Sequence, residues 1–230
     1  MQDSMTQFDL AVKAVVAGDR ATLGALALEN PALLRARSTC AHGGTLLHYA
    51  AARGGEACAD AAQGNAVSVT EMLRRAGTVV DGVAEIYRGE VTALGLLRSC
   101  KAVLRRQSAP TGVQAALIET LLDAGADIHA FAGGWQPLMW ALAAGCKEGA
   151  ETLLRRGARV DNLGTAVLLG RLDLVEKFVG VGTEPRTQIE YAFLLACGSG
   201  RMDIANFLLK MGVDPAANDD IGHGALHCAA

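Results

Sequence analysis

Six cysteines and five histidines carry the most reactive side chains of this 230-residue chain. Their spacing decides what chemistry they support. His223 and His227 stand four apart with Cys228 beside them, a separation that brings two metal ligands to one face of a continuous helix. The helix is expected to begin near Ala225, which leaves His223 on the turn before it and breaks the set. Cys40, Cys58, Cys100, Cys146, Cys197 and Cys228 occur singly, with no C-x-x-C pair, in a chain long enough to bury a core without staples. They read as reduced, mostly buried small hydrophobes, and a nucleophilic role would need a pocket and a third, orienting group. The glycines of GGEACADAAQGN do not follow a strand, and DNLGTAVLLG has no lysine to reach a phosphate, so no phosphate loop is supported. No catalytic residue, metal ligand or cofactor is expected, and the chain reads as a non-enzyme.

Charge narrows the partners. Acids and bases nearly balance, with a net charge of −3, which gives no long-range attraction for nucleic acid or an acidic membrane surface. The basic group Arg98, Lys101, Arg105 and Arg106 reads as solvated surface at a helix C-terminal end, where positive charge suits the dipole. No stretch reaches 18 consecutive uncharged apolar residues, and the first nineteen residues lack a basic segment leading into an apolar run. A soluble, cytoplasmic protein is expected. Hydrophobic residues make up 51% of the chain but aromatics only 4%, so the apolar mass is alanine, leucine and valine, which favours close-packed helices.

The elements that position these residues recur. Residues 131–161, FAGGWQPLMWALAAGCKEGAETLLRRGARVD, read as hairpin, helix, turn, helix: Pro137 opens the first helix, Gly145 ends it, and Gly157 ends the second. The twelve-residue separation of Gly145 and Gly157 returns in Gly170/Gly182 and Gly200/Gly212. Four and eight residues before the second glycine stand apolar pairs: Leu73 and Val69, Leu121 and Leu117, Phe178 and Leu174, Leu208 and Ile204. An acid recurs six before it as Glu71, Glu119, Glu151 and Glu176. One such pair has an apolar face and nothing of its own to bury it, so copies must stack.

This spacing divides the chain into an N-terminal cap (1–37), a repeat with an insertion at 55–63 (38–80), a second with an insertion at 101–112 (81–129), a regular repeat (130–161), a shortened one (162–184), a regular one (185–215) and a truncated one (216–230). The cap is read as two helices turning at Gly18-Asp19 and broken at Asn30-Pro31. Gly54 is expected to end the first helix of its repeat. The shortened repeat has no room for both a hairpin and a full first helix. Because the last repeat stops inside its first helix, Ile204, Phe207 and Leu208 are expected on an uncovered end face, with weak self-association through it.

GGTLLHYAAARG, VTALGLL, WQPLMWALAAG and GHGALHCAA resemble the ankyrin repeat's G-x-T-P-L-H-x-A-A-x-x-G, and LLDAGADIHA, LLRRGARVDN and LLKMGVDPAAND resemble its L-L-x-x-G-A-D-V-N-A. Departures are Gln136, Tyr191 and Gly224 for the threonine and Gly95 and Met139 for the histidine. The resemblance implies an all-α solenoid of stacked antiparallel helix pairs with short hairpin-like loops, in which His48 and His227 hold a structural histidine position. It also implies a protein-protein interaction module without chemistry of its own. The partner, another protein, would lie on the concave hairpin-and-first-helix surface, against Trp135, the hairpin residues His42, Arg88, Val91, Gln188, Glu190 and His223, and the helix-end residues Arg53 and Ser99. Tyr49 and Trp140, inside first helices, are assigned to framework packing. The alternative is a regulatory ankyrin arm of a larger protein whose effector or catalytic domain lies beyond residue 230.

Overall fold

The computed structural model describes residues 6–40, 42–55, 60–86, 89–96, 112–130, 135–218, 222 and 224–229. The chain forms two compact units, Met1–Ala158 and Arg159–Ala230. In the first, α1 (Gln7–Ala17) starts at a reciprocal cap: the Asp9 N–H donates to the Thr6 hydroxyl, and the Thr6 N–H donates to the Asp9 carboxylate. The Thr6 hydroxyl also donates to that carboxylate at 2.7 Å, and this bond, followed by the one from the Thr6 N–H, holds the Asp9 carboxyl below its usual range. Gly18 ends α1 in the left-handed conformation, and Asp19 caps α2 (Arg20–Glu29) before a 3-10 turn at Pro31–Leu34. Phe8, Ala11, Ala14 and Val15 make the buried face of α1. Leu28, near the end of α2, is 84% exposed.

Three helix pairs follow. First helices α3 (Leu46–Gly55), α5 (Ala93–Leu96) and α7 (Pro137–Ala143) lie side by side, and so do second helices α4 (Asp60–Arg75), α6 (Val113–Asp123) and α8 (Lys147–Arg155). Leu73, Leu117, Leu121 and Leu153 are fully buried where the second helices meet, as their spacing requires. α3 runs to Gly55, one residue past the stop expected at Gly54. The described residues of the first insertion, 55 and 60–63, are helical. The second insertion lies outside the described residues up to Gly112, with Arg98, Lys101, Arg105 and Arg106. The hairpin before α5 is a regular two-stranded antiparallel ribbon, β1 (Val83–Ile86) with β2 (Gly89–Thr92). Neighbouring turns are tied to one another: the Glu85 N–H donates to the His42 carbonyl at 2.8 Å, and the Asp127 N–H donates to the Asp81 carboxylate.

The recurring acid has a physical reading where arginines face it. Glu71 pairs with Arg74 and Arg75, whose hydrogen bonds lower its carboxyl to about 2. Glu119 on α6 pairs with Arg155 and Arg156 of the next repeat, and Arg156 also reaches Asp123 at 2.8 Å. Glu151 and Glu176 are exposed.

In the second unit, α9 (Leu163–Leu169), α10 (Leu172–Gly180), α11 (Arg186–Gly198), α12 (Met202–Lys210) and α13 (Ala225–Ala229) enclose Leu163, Val167, Val175, Phe193, Ile204 and Leu208. Ile204 and Leu208 are thus core residues, not an uncovered face; Phe207 is half-buried. In α10 the buried positions are Val175 and Val179, one residue on from Leu174 and Phe178, which pack against the same core half-buried. The shortened repeat keeps its first helix, since α9 and α7 both have 7 residues. The following repeat starts its first helix early: α11 opens after Pro185, so Gln188 and Glu190 are helical rather than on a hairpin. Near the end, Asn218 bridges Gly224, where a side-chain carbon would lie 2.9 Å from Asn218 Oδ1. A side chain at Gly224 would therefore displace the Asn218 amide.

The measuring glycines are left-handed stops. Gly145 and Gly157 have φ of 72° and 97°, and Gly170, Gly182, Gly200 and Gly212 share the sign. At Gly157 an added Cβ meets nothing, so Gly157→Ala costs only the backbone strain, about 1 kcal/mol. At Gly170 it would also sit 3.0 Å from the Arg201 guanidinium, which donates to the Leu168 carbonyl and caps α9. Gly170→Ala is therefore expected to lower the urea midpoint more than Gly157→Ala; equal shifts would exclude the Arg201 contribution.

His48 joins one first helix to the next hairpin. Its Nδ1 accepts from the Thr45 N–H at 3.2 Å and lies 2.8 Å from the Thr45 hydroxyl. A backbone N–H can only donate, so Nδ1 is the acceptor, and Nε2 carries the proton donated to the Val91 carbonyl at 3.0 Å. Burial pushes the imidazole pKa down; the Val91 bond opposes this, while the charges of Arg37 and His42 add to it. With a folded pKa below the unfolded value of about 6.5, the unfolded chain takes up the proton first. The His48 contribution is complete above that pH and is lost as pH falls towards the folded value. His48→Gln is expected to cost about 2 kcal/mol at pH 7.5 and to flatten the loss of urea midpoint between pH 7.5 and 5.5. Parallel pH profiles for the two proteins would contradict a buried neutral imidazole.

Candidate protein-binding face

The half-exposed aromatic residues of the first unit lie on its first helices and on the turns leading into them. Tyr49 in α3 and Trp140 in α7 each stand four residues after the motif's first position, occupied by Thr45 and Gln136, so both project from the same helical register. Tyr49 meets Phe8 edge-on at 6.4 Å and His42 at 5.6 Å between ring centres. The His42 ring is fixed as well: Nδ1 accepts from the Gly44 N–H at 3.0 Å, which leaves Nε2 as the donor to the Tyr49 hydroxyl at 3.2 Å. His42 is therefore a held, half-buried edge of this face rather than a mobile surface group.

Trp135 and Trp140 pack with ring centres 4.2 Å apart and planes 39° from parallel. The Trp135 ring thus packs against α7 of its own repeat. Both indoles remain half-buried. Trp140 Cδ1 lies 3.9 Å from where a Cβ of Gly95 would stand, so the glycine that replaces the motif's histidine leaves room beside the indole. Assigned to framework packing, Tyr49 does pack on Phe8 and Trp140 on Trp135, and both stay half-buried.

The other expected contact residues separate. Val91 is 1% exposed, its side chain in the core and its carbonyl on His48, so it offers a partner no side chain. It follows Glu90 on β2, and strand alternation turns the two to opposite sides. Gln188 and Glu190 lie on α11 in the second unit; Gln188 is exposed, and Glu190 is half-buried and pairs with Arg186 at 3.0 Å. Arg88, Ser99 and His223 lie outside the described residues, and so does the Arg53 side chain. His227 is exposed, whereas His48 is buried. Cys146 is buried, Cys197 and Cys228 are half-buried, and Cys40 is exposed, against the reading of packed thiols; Cys58 and Cys100 lie outside the described residues. Among the described residues no three of His, Cys, Asp and Glu converge as metal ligands. No described helix is long and apolar enough to cross a membrane.

No family model and no curated protein matches the sequence. Among solved structures, the chain is similar to the ankyrin repeat domain of human ASB11, at 19% identity and a TM-score of 0.51, over 96% of this chain and 91% of that one. It is also similar to the ankyrin repeat domain of Bcl-3, described as a unique member of the IkappaB protein family, at 20% identity and a TM-score of 0.52, over 96% of this chain and 93% of that one. Identities this low carry the fold and not the partner. Stacked helix pairs, left-handed glycine stops, the Thr45–His48 bridge and this likeness together give the chain the all-α fold of the ankyrin repeat domain.

Proposed function

We propose that the chain is a non-catalytic protein-binding module that holds another protein on the hairpin-and-first-helix face of its first unit. The observation that carries this reading is the Trp135–Trp140 pair: two large amphipathic rings, stacked on each other and only half-buried, at the start of a first helix. Such rings supply much contact area at little cost in side-chain entropy, which is why tryptophan is enriched among residues that dominate binding energy. Tyr49 and His42 extend the same face, already ordered by their mutual hydrogen bond. A partner that covers rigid groups loses less on ordering than one that covers mobile ones. Both solved structures named above are ankyrin repeat domains, a fold whose members bind proteins.

The test is quantitative capture from a lysate of the source organism by the immobilised 230-residue chain, beside Trp135→Ala and Glu176→Ala baits. A protein enriched by the wild type should fall at least about tenfold on Trp135→Ala, the effect of losing a centrally placed anchor. It should be retained by Glu176→Ala, which alters an exposed second-helix residue. Undiminished capture by Trp135→Ala, or loss on Glu176→Ala alone, would move the binding surface elsewhere.

A further inference from the structure

In the second unit α13 approaches α11 at a glycine. A side-chain carbon on Gly198 would lie 3.1 Å from the Cys228 carbonyl oxygen and 3.4 Å from Cys228 Cβ. Cys197 precedes that glycine on α11, and Cys197 and Cys228 pack half-buried against the same core. The two thiols are close enough that charge on Cys228 disfavours ionisation of Cys197. A disulfide asks for Cβ atoms about 3.5–4.5 Å apart. α13 has only 5 residues, few enough for it to move towards α11 as the bond forms.

We propose that Cys197 and Cys228 form a redox-modification site, which a hydroperoxide converts to a disulfide that pins α13 to α11. The Cys228 thiolate attacks one peroxide oxygen; an S–O bond forms, the O–O bond breaks, and the departing hydroxide is protonated to water. The Cys197 thiolate then attacks the sulfenic sulfur; the S–S bond forms, the S–O bond breaks, and a second hydroxide leaves as water. Two thiols and one hydrogen peroxide give one disulfide and two waters, with both sulfurs oxidised and the peroxide reduced. Burial, followed by the charge of Cys228, pushes the Cys197 thiol up, which suits it to the second, resolving step. Because α13 is a first helix of the stack, oxidation fixes one end of the first-helix face of the second unit, independently of what the first unit binds.

The experiment uses the whole reduced chain, treated with hydrogen peroxide, alkylated and digested with trypsin without reductant. Cys197 and Cys228 fall in separate tryptic peptides, 187–201 and 211–230, each with a single cysteine. The expected product is those two peptides joined, two hydrogens lighter than their sum, and separated again by dithiothreitol. Amides 225–229 should exchange roughly tenfold more slowly in the oxidised chain. Cys197→Ser should abolish the joined peptide and leave a dimedone-reactive sulfenic acid on Cys228. Alkylation of both cysteines after peroxide, their separate conversion to sulfinic acids, or an equal yield of the joined peptide in urea would each overturn the proposal.

Discussion

Helices of seven to eleven residues are not stable alone in water, because nucleation costs more than so few hydrogen bonds return. Within the first unit the helix pairs meet that constraint by packing first helix against first helix and second against second. Leu117 and Leu121 on α6 have nothing to cover them within their own helix, yet both are fully buried between neighbouring second helices. The left-handed glycines serve this arrangement. A stop at Gly145 and another at Gly157 end both helices of one pair and return the chain within one repeat.

Two sides of the first unit are joined by different physics. On the first-helix side a buried, neutral imidazole bonds Thr45 at one end and the Val91 carbonyl at the other. Leaving either group unpaired in the core would cost more than the bond itself contributes. On the second-helix side the links are exposed ion pairs, Glu119 and Asp123 to Arg155 and Arg156, whose worth is small and salt-dependent. Cohesion therefore rests on leucine burial and on His48. The arginine ladder instead keeps the second-helix side solvated, which leaves the aromatic first-helix side as the distinctive surface.

The fold was legible in the sequence because its signal is periodic. Glycine spacing located the helix ends, and the apolar pairs four and eight residues earlier located most of the buried face. The periodic signal failed where a segment changed structure without changing length. α11 begins at Arg186 although the fifth repeat looks regular. The face was less legible than the fold. Val91 was placed outside because hairpin residues usually are, whereas strand alternation turns it inward. Trp140, assigned to framework packing, does pack against Trp135, yet its indole stays half-buried beside Gly95. Which way one side chain points depends on a neighbouring repeat.

Amide hydrogen exchange of the chain, alone and saturated with a captured partner, tests most directly whether the first-helix side is the binding face. A partner on that side should slow exchange at 45–51 and 135–143, the segments that carry His48, Tyr49, Trp135 and Trp140, and leave 147–155 of α8 as it is in the isolated chain. Protection confined to the outer second helices α4, α6 and α8, with the tryptophan segment unchanged, would contradict it.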